Sequence, residues 1–366
     1  MKIREIIHSI ENFAPLALQE SYDNCGIQVG NPDGETNGVL LSLDVTEVVL
    51  EEAIEKNCQL IIAHHPLIFS GLKSITGKNY IERIILKAIK NDITIYAAHT
   101  NMDNVKMGVN RKIGEKLGLQ NLKILAPSRN NQSLLYVYIP NTHFESVQES
   151  LFAAGAGSIG DYSEAGFSYK GIGSFKPNEQ ANPTIGKAGG EREQVEETKL
   201  EVIIQEQNQR QILNALFKSH PYEEVAYGII PLSIENKEIG AGMIGFLPEP
   251  IETKLFLKSL KENMKTDCIR HTNIHKNKIK KVAICGGSGS FLLKDAIRQQ
   301  ADILITGDFK YHQFFDADNQ IIIADIGHFE SEQFTMEIFY EIIRKNFRNF
   351  ATHLTMHKTN PINYYF

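Results

Sequence analysis

The stretch that decides the fold is Leu60-Ile61-Ile62-Ala63-His64-His65-Pro66, an apolar run that ends in two histidines and a proline. Such a short apolar run is typical of a buried strand, and the proline lacks the backbone donor that further strand pairing needs. Adjacent side chains at a strand end point in different directions, so these histidines suit two neighbouring metal ions better than one. The alternative is a pair of histidines that cap the strand by binding loop carbonyls, and this stretch alone leaves both interpretations open.

Strands and helices alternate around this stretch. Val39–Leu43 is predicted as a strand and Thr46–Lys56 as a helix, and beyond the histidines Tyr80–Lys90 is a predicted helix and Ile93–Ala98 a strand. This alternation predicts a largely parallel sheet covered by helices. Ligand sites of open parallel sheets lie beyond the carboxyl ends of the strands, which is where the two histidines stand.

The last third of the chain repeats this pattern. Its predicted elements are the strand Lys281–Cys285, the helix Phe291–Gln299, and the strands Asp302–Ile305 and Ile321–Ile326. Setting Ala53-Ile54 on Ala296-Ile297 brings Leu60-Ile61-Ile62 onto Ile303-Leu304-Ile305 without a gap, and His64-His65 then falls on Gly307-Asp308. The match is short, and both an ancient duplication and chance remain open.

The middle of the chain has a different order, which predicts a separate domain. Its elements are Leu134–Ile139 (strand), His143–Ala154 (helix), Phe167–Phe175 (strand), Leu200–Gln205 (strand), Gln209–Lys218 (helix) and Val225–Pro231 (strand), with an irregular connection over Lys176–Glu197. This is the split ferredoxin-like order. We therefore predict an α/β protein in which two related, mostly parallel halves form one discontinuous domain (residues 1–127 and 240–366) that carries an inserted ferredoxin-like α+β domain (residues 128–239).

Two further strand ends carry groups that can bind metals. The strand before His99 leads into Thr100-Asn101-Met102-Asp103, where Asp103 could bridge two cations or simply cap the following helix. His99 lies closer to the strand and could orient a ligand or a water molecule. In Asp325-Ile326-Gly327-His328-Phe329-Glu330-Ser331-Glu332, the residues His328 and Glu332 share one helical face, whereas Glu330 points elsewhere.

Together the three strand ends predict a pair of divalent metal ions at one edge of the sheet. The predicted ligands are His64, His65, Asp103, His328 and Glu332. Glu330 or Glu332 alone could merely complement a helix dipole, but the complete set makes that explanation improbable. Three imidazoles and two carboxylates favour zinc, manganese, iron or cobalt over calcium or magnesium, and metal-assisted hydrolysis is the chemistry such pairs support.

Two further motifs are candidates for substrate contacts. Gly286-Gly287-Ser288-Gly289-Ser290 joins a strand to a helix and could cradle an anion, although a plain tight turn explains it equally well. Thr306-Gly307-Asp308-Phe309-Lys310-Tyr311-His312 ends another strand near the same edge. Asp308 and His312 are therefore predicted as catalytic acid–base or substrate-binding groups.

Length and composition restrict the function further. The chain has 366 residues, which favours two domains, and a net charge of -6, without the basic surface of a nucleic-acid binder. The four cysteines show no CxxC spacing, so neither a zinc knuckle nor a disulfide framework is expected. No signal peptide is recognised at Met1–Glu5, and no apolar run approaches the roughly 20 residues of a membrane span. We expect a cytoplasmic protein.

These motifs resemble those of the Nif-three-like dinuclear metal-centre family, whose members are often labelled GTP cyclohydrolase I type 2 homologues. The resemblance rests on His64–Phe69, His99–Asp103, Thr306–Asp308 with His312, Gly327–Glu332, and the opening Glu20–Gly26, and it spans the whole chain. Ala181–Gly186 and His220–Glu224 resemble the longer members, which carry an inserted PII- or CutA-like domain.

The resemblance implies that the five predicted ligands hold the metal centre and that Glu332 touches both ions. It further implies a homohexamer, and a hydrolytic reaction in which GTP and water yield formate and dihydroneopterin triphosphate. Two alternatives remain open. The same ions could serve a phosphoesterase or nucleotidase, or the protein could be a non-enzymatic metal-binding scaffold whose inserted domain senses a small ligand or partner.

Overall fold

A computed structural model describes residues 1–129 and 131–365 of the chain. These residues form two compact units, of which the first combines Met1–Pro127 with Lys237–Phe366 and the second is Ser128–Asn236. Asn130 and Phe366 lie outside the described residues. Within the described ranges, no helix combines the length and the apolar character needed to cross a membrane.

The elements follow one another in mixed order. The strands are β1 (Gly26–Val29), β2 (Gly38–Ser42), β3 (Leu60–Ala63), β4 (Thr94–Ala97), β5 (Gln120–Arg129), β6 (Gln132–Pro140), β7 (Gly166–Phe175), β8 (Glu193–Gln205), β9 (Tyr227–Pro231), β10 (Glu235–Glu252), β11 (Arg270–His271), β12 (Lys278–Ser288), β13 (Ile303–Gly307), β14 (Ile322–Asp325) and β15 (Ala351–Leu354). The helices are α1 (Ile3–Phe13), α2 (Glu47–Glu55), α3 (Tyr80–Lys90), α4 (Thr100–Asn104), α5 (Val109–Lys116), α6 (Phe144–Ala153), α7 (Gln209–Ser219), α8 (Thr253–Asn263), α9 (Leu293–Arg298), α10 (His328–Glu332) and α11 (Thr335–Asn346).

The first unit contains a sheet built around β3, in the order β1-β4-β3-β2-β15. Strands β2, β3 and β4 are parallel to one another, and Ser42, Ala63 and Ala97 are aligned in register at their carboxyl ends. Because the three strands end together, the residues that follow them are delivered to the same edge of the sheet. That edge is the position of the predicted metal ligands His64 and His65.

A second sheet of the same unit has the order β11-β14-β13-β12-β10-β5. Its strands β12, β13 and β14 are parallel, and β11 pairs antiparallel with β14. The first sheet has the same local order, with β1 antiparallel to β4 beside the parallel strands β3 and β2. The predicted α/β fold class, with parallel strands in both halves, is confirmed.

Both sheets contribute to one apolar core. The largest cluster of buried side chains includes Leu60 and Tyr96 from the first sheet and Val282 and Ile305 from the second. Helix α1 adds a stripe of isoleucines with the spacing of one helical face, namely Ile3, Ile6, Ile7 and Ile10. This shared core holds the two sets of strand ends in one compact unit, which a site assembled from both halves requires.

The second unit is a four-stranded antiparallel sheet in the order β7-β8-β6-β9, with the helices α6 and α7 between its strands in the sequence. The inward side chains of β6 and β8, such as Leu135 and Val202, form a core with residues of the two helices. The irregular connection predicted to reach Glu197 ends earlier, because β8 begins at Glu193 and pairs with β7 there. Its first residues, Glu193–Glu197, are mostly charged, so they lack the apolar alternation that indicates a strand.

Candidate metal centre

The five predicted ligands lie together beside the carboxyl ends of the parallel strands in both sheets. His64 and His65 follow β3, Asp103 lies on the short helix α4 after β4, and His328 and Glu332 lie on α10 after β14. The Nδ1 atom of His64 lies 2.8 Å from the carbonyl oxygen of Ala98. This contact turns the other ring nitrogen, Nε2, towards the carboxylates.

One group of donors surrounds His64. Its Nε2 lies 3.6 Å from Oδ1 of Asp103 and 3.6 Å from Oε1 of Glu332. In this group one ligand atom from each residue lies within 4.8 Å of the others. The separations are too long for good hydrogen bonds and leave room for a cation between the three atoms.

A second group of donors surrounds His65. Oε2 of Glu332 lies 2.9 Å from Nε2 of His65 and 3.0 Å from Nε2 of His328. The two ring nitrogens are themselves 3.2 Å apart. Glu332 therefore offers one carboxylate oxygen to each group, which is the arrangement of a carboxylate that bridges two ions.

Two buried atoms without hydrogen-bond partners show whether the donor set fits a metal ion. Nε2 of His64 and Oδ1 of Asp103 are buried, and no residue in the described part of the chain gives them a hydrogen-bond partner. Burial, followed by the nearby Glu332 carboxylate, raises the pKa of Asp103 to about 8. A divalent cation would satisfy both orphaned atoms and offset the repulsion between the carboxylates, so this donor set fits a metal ion.

The imidazoles are held in place by acceptors behind them. The Nδ1 atom of His65 lies 2.7 Å from Oδ1 of Asp44, and the Nδ1 atom of His328 lies 2.7 Å from Oδ2 of Asp308. If Nδ1 carries the proton and donates it to the carboxylate, Nε2 is left as the metal ligand. Such outer contacts fix the ring orientation and make the imidazole a stronger ligand.

The charged surroundings also change the acidity of both rings. Burial alone would lower the pKa of His65, but the hydrogen bonds to Asp44 and Glu332 raise this pKa to about 9. Burial would also lower the pKa of His328, but the Glu332 and Asp308 carboxylates raise this pKa to about 11. In the metal-free chain at neutral pH, both imidazoles therefore hold protons that a metal ion must displace.

His99 stands beside the cluster in the position expected of a residue that orients a ligand or water. Its ring centroid lies 5.2 Å from that of His64 and 5.4 Å from that of His65. Its Nδ1 atom lies 2.8 Å from Oδ1 of Asp23, whose other oxygen accepts from the backbone of Thr100. Burial would raise the pKa of Asp23, but these hydrogen bonds hold it well below its usual value.

The glycine-rich loop lies against the predicted ligand Glu332. The backbone N–H of Gly286 donates to Asn110, and that of Gly287 donates to Ser331, so two of its amides are already occupied. Gly287 has a positive φ of 58°, and a Cβ there would lie 2.4 Å from Oε1 of Glu332. A residue without a side chain is needed here because the Glu332 carboxylate passes so close to the backbone.

The structure separates the two predicted acid–base residues. Asp308 supports His328, and its own pKa is lowered chiefly by the hydrogen bond with that ring. His312 is exposed, packs against the rings of Tyr311 and Phe315, and is not part of the cavity wall at the cluster. Glu330 points away from the cluster, as expected, and accepts a hydrogen bond from Asn360.

Sequence reasoning missed the supporting roles of Asp44 and Asp23. Asp44 stands two residues beyond the end of β2, so the strand-end argument that identified His64 and His65 could have included it. Asp23 lies in an irregular segment before β1 and meets His99 only through the tertiary fold. No local pattern indicates that contact.

A cavity of about 610 Å³ opens in front of the cluster. Its polar wall includes His65, His99 and Asp103, and its apolar wall includes the rings of Tyr22, Phe69 and Phe291. No lysine or arginine occurs among the described residues that line it. The volume falls within the range of about 300–1,000 Å³ that is typical of small-molecule sites.

Comparison with known proteins relates this chain to one family. The sequence model described as Duf34/NIF3 (NGG1p interacting factor 3) matches residues 1–361. The chain is 44% identical over 326 residues to a "GTP cyclohydrolase 1 type 2 homolog" of Halalkalibacterium halodurans, covering 88% of this chain and 87% of the relative. It is 40% identical to the protein of the same description in Bacillus subtilis, covering 89% and 88%. The crystal structure of a Bacillus cereus protein related to NIF3 superposes with a TM-score of 0.86 at 38% identity, covering 99% of both chains.

Proposed function

The chain belongs to the Duf34/NIF3 family, and on that premise we propose that it is a hydrolase that uses two divalent metal ions. One observation carries the proposal: the two carboxylate oxygens of Glu332 face separate groups of ligands, with His64 on one side and His65 on the other. The chemistry of these donors favours zinc, manganese or iron.

The residues that would hold the ions divide between the two groups. His64, Asp103 and Oε1 of Glu332 form one set, and His65, His328 and Oε2 of Glu332 form the other. Two bound ions would supply an activated water molecule and stabilise the negative charge that develops on the substrate. The chain's contribution is to keep the ligands buried and oriented through Asp44 and Asp308.

His99 is proposed to orient the attacking water. Its Nδ1 lies within hydrogen-bond distance of Asp23, so Nε2 remains as an acceptor on the side of His64 and His65. His99 and Asp103 both line the open cavity, whereas His64 is fully buried behind them. A substrate in the cavity would therefore meet His99 beside the metal ligands.

We propose GTP as the substrate to test first, because the relatives carry the description of GTP cyclohydrolase homologues. The proposed reaction converts GTP and water into formate and dihydroneopterin triphosphate. The rings of Tyr22, Phe69 and Phe291 support it, since a purine can stack on such a wall. The lack of lysine and arginine in the described lining means that the ions themselves would have to hold the phosphates.

The test incubates GTP with protein loaded separately with zinc, manganese or iron, and measures formate and, after oxidation of the dihydropterin with iodine, fluorescent pterin. We expect both products from the native chain, none from Glu332→Gln, and an unchanged yield from the control His143→Ala, which replaces an exposed histidine of the second unit. If no metal supports turnover of GTP, or if Glu332→Gln remains active, the proposed cyclohydrolase reaction is wrong.

A phosphoesterase or nucleotidase is the second candidate, and the composition of the cavity favours it. A single phosphate group can be held by two metal ions alone, so it does not need the basic side chains that a triphosphate usually meets. A panel of nucleoside monophosphates and simple phosphoesters separates the two activities. Release of inorganic phosphate without formate would support this candidate.

A homohexameric assembly is also proposed, whether or not the protein is an enzyme. The support is a group of aromatic side chains left largely exposed on the first unit, namely Phe291, Tyr311 and Phe315, which are 65%, 72% and 67% exposed. Exposed aromatic residues are enriched at interfaces between subunits. Light scattering of the full chain tests the assembly. A monomer at all concentrations would exclude it, and an assembly without any hydrolytic activity would favour the scaffold interpretation.

A further inference from the structure

The second unit contains a cavity of its own, far in sequence from the metal ligands. It has a volume of about 470 Å³ and is formed by the end of β7, the connection after it, β8 and the segment that follows α7. The two motifs Ala181–Gly186 and His220–Glu224, which have no part in the metal centre, contribute to its wall. This is a small-molecule cavity by size.

Two hydrogen bonds hold the wall of this cavity in place. The backbone N–H of Asn182 donates to Oε1 of Glu223 at 2.9 Å, and the hydroxyl of Thr184 donates to the carbonyl of Pro221 at 2.7 Å. These bonds join the long connection between β7 and β8 to the segment after α7. The cavity is therefore a formed feature of the unit, because both segments that enclose it are tied to each other.

A buried carboxylate lies in the cavity wall. Glu197 is only 9% exposed, and its Oε1 accepts a hydrogen bond of 3.0 Å from the hydroxyl of Tyr222. Within the described part of the chain, no donor is hydrogen-bonded to its other oxygen, Oε2. That oxygen lies over Gly173, where an added Cβ would be 2.0 Å away. A carboxylate that lines a cavity and keeps one oxygen unpaired can accept a hydrogen bond from a bound ligand or pair with its positive charge.

The rest of the lining favours a positively charged ligand with an apolar body. Three carboxylates (Glu197, Glu223 and Glu224) and one lysine (Lys176) line the cavity, so its charge is negative at neutral pH. The rings of Phe175 and Tyr222 meet edge to face with centroids 6.1 Å apart. Aromatic faces beside a carboxylate are the surroundings in which proteins bind ammonium and guanidinium groups.

We propose that this cavity binds a small organic cation, whose charged nitrogen pairs with Oε2 of Glu197 and whose apolar part packs on Phe175 and Tyr222. The site belongs to the second unit alone, since the residues that line it lie between Tyr138 and Ala226. The inserted unit is then a binding module for a ligand that is chemically unrelated to an anionic nucleotide.

The test measures binding to the metal-loaded full chain by calorimetry, with choline and agmatine as cationic probes. The neutral carbon analogue of choline, 3,3-dimethylbutan-1-ol, has nearly the same shape and serves as the matched ligand control. We expect at least one cation to bind with a Kd below about 1 mM. Binding of choline that is no tighter than that of its neutral analogue would overturn the charge-based proposal for this probe, and failure of both cations would overturn it altogether.

Glu197→Gln assigns the binding to this cavity. The amide keeps the size of the side chain and an acceptor for Tyr222 but removes the charge, and we expect at least about tenfold weaker binding of the cation. Glu196→Gln is the control, because Glu196 is the exposed neighbour on β8 and does not line the cavity. Equal binding by both variants and the native chain would place the ligand elsewhere.

Phe175→Leu provides an independent check if Glu197→Gln proves unstable in thermal unfolding. Leucine keeps the wall apolar but removes the aromatic face, so the cation should bind about three- to tenfold more weakly while the neutral analogue changes little. An equal loss of affinity for the cation and for its neutral analogue would contradict the role of the ring in binding a charge.

Discussion

The two sheets of the first unit share a local strand order, but different kinds of residue follow their parallel strands. In the first sheet, β3 is followed by two predicted metal ligands, His64 and His65. In the second, the corresponding strand β13 is followed by Asp308, whose carboxylate is hydrogen-bonded to the predicted ligand His328. The same position after a strand can thus carry either a predicted ligand or a residue that is hydrogen-bonded to one.

The glycine that precedes Asp308 shows why the two strand ends differ. A Cβ on Gly307 would lie 2.8 Å from the backbone nitrogen of His328, so α10 packs directly against the end of β13. A second histidine pair there would fill the space that α10 occupies. The second half therefore contributes its ligands from the helix instead, and Glu332 on that helix reaches the groups from both halves.

The largest effect is expected from removing the carboxylate that the two groups share. Glu332→Gln keeps the volume of the side chain but loses its charge, so both ions should be released. We expect metal content measured by elemental analysis to fall to near zero, with affinity lowered by more than about 100-fold, beyond what loss of an outer contact causes.

Glu330→Gln is the matched control for that experiment. Glu330 lies on the same short helix and is buried, but its carboxylate faces Asn360 and not the imidazoles. It should keep its full metal content. Retention of two ions by Glu332→Gln would show that the carboxylate does not bridge the two groups.

Replacing one ligand from each half should have a smaller and selective effect. His64→Ala removes a donor of the group that contains Asp103, and His328→Ala removes a donor of the group that contains His65. We expect each variant to retain about one ion per chain, because the other group keeps its three donors. Elemental analysis and thermal unfolding of the same samples separate metal loss from unfolding. A variant that loses both ions would show that the groups bind metal as one site.

The supporting carboxylates test whether the two halves act alike. Asp44→Asn and Asp308→Asn each weaken the acceptor behind one ligand, His65 in the first half and His328 in the second. Loss of such a partner typically lowers metal affinity about 10–100-fold. Because the asparagine amide still offers an oxygen acceptor, we expect the affinity of both variants to fall by about tenfold. Competition with a chelator measures it. A large effect in only one variant would contradict the equivalence of the two carboxylates.

The same comparison shows what the sequence could predict. β3 and α3 begin and end where their apolar patterns do, because each buries a continuous face in the shared core. The long strand β10 (Glu235–Glu252) and the late strand β15 were not predicted, since they alternate irregularly and depend on partners distant in sequence. Among the site residues, the sequence predicts that the side chains after the strand ends meet, and the structure brings them together. The Asp23–His99 contact exists only through folding.

The smallest expected effect is a pH dependence that distinguishes the imidazoles of the two halves in the metal-free protein. The folded chain raises the pKa of His65 from 6.5 to about 9 and that of His328 from 6.5 to about 11. A raised pKa means that the folded state binds the proton more tightly than the unfolded state does. The stabilisation is therefore complete below pH 6.5 and is lost as the pH rises through the folded value. The contribution of the first-half ring should disappear near pH 9 and that of the second-half ring near pH 11.

Thermal unfolding of metal-free protein between pH 7 and 10 should accordingly show a falling Tm, by a few degrees for each proton lost. Asp103 adds to the fall at the lower end of this range, because its pKa is also raised, to about 8. Metal-loaded protein should show a weaker dependence, since the ions replace these protons and the imidazoles are neutral throughout. In Asp44→Asn the hydrogen bond that raises the pKa of His65 is weakened, so the share of the fall due to His65 should still begin near pH 6.5 but end below pH 9. Asp308→Asn should change only the part of the fall above that range, because the pKa of His328 is the higher of the two. Identical curves for the two variants would mean that both rings titrate as one group, and the proposed division of the site between the two halves would then be wrong.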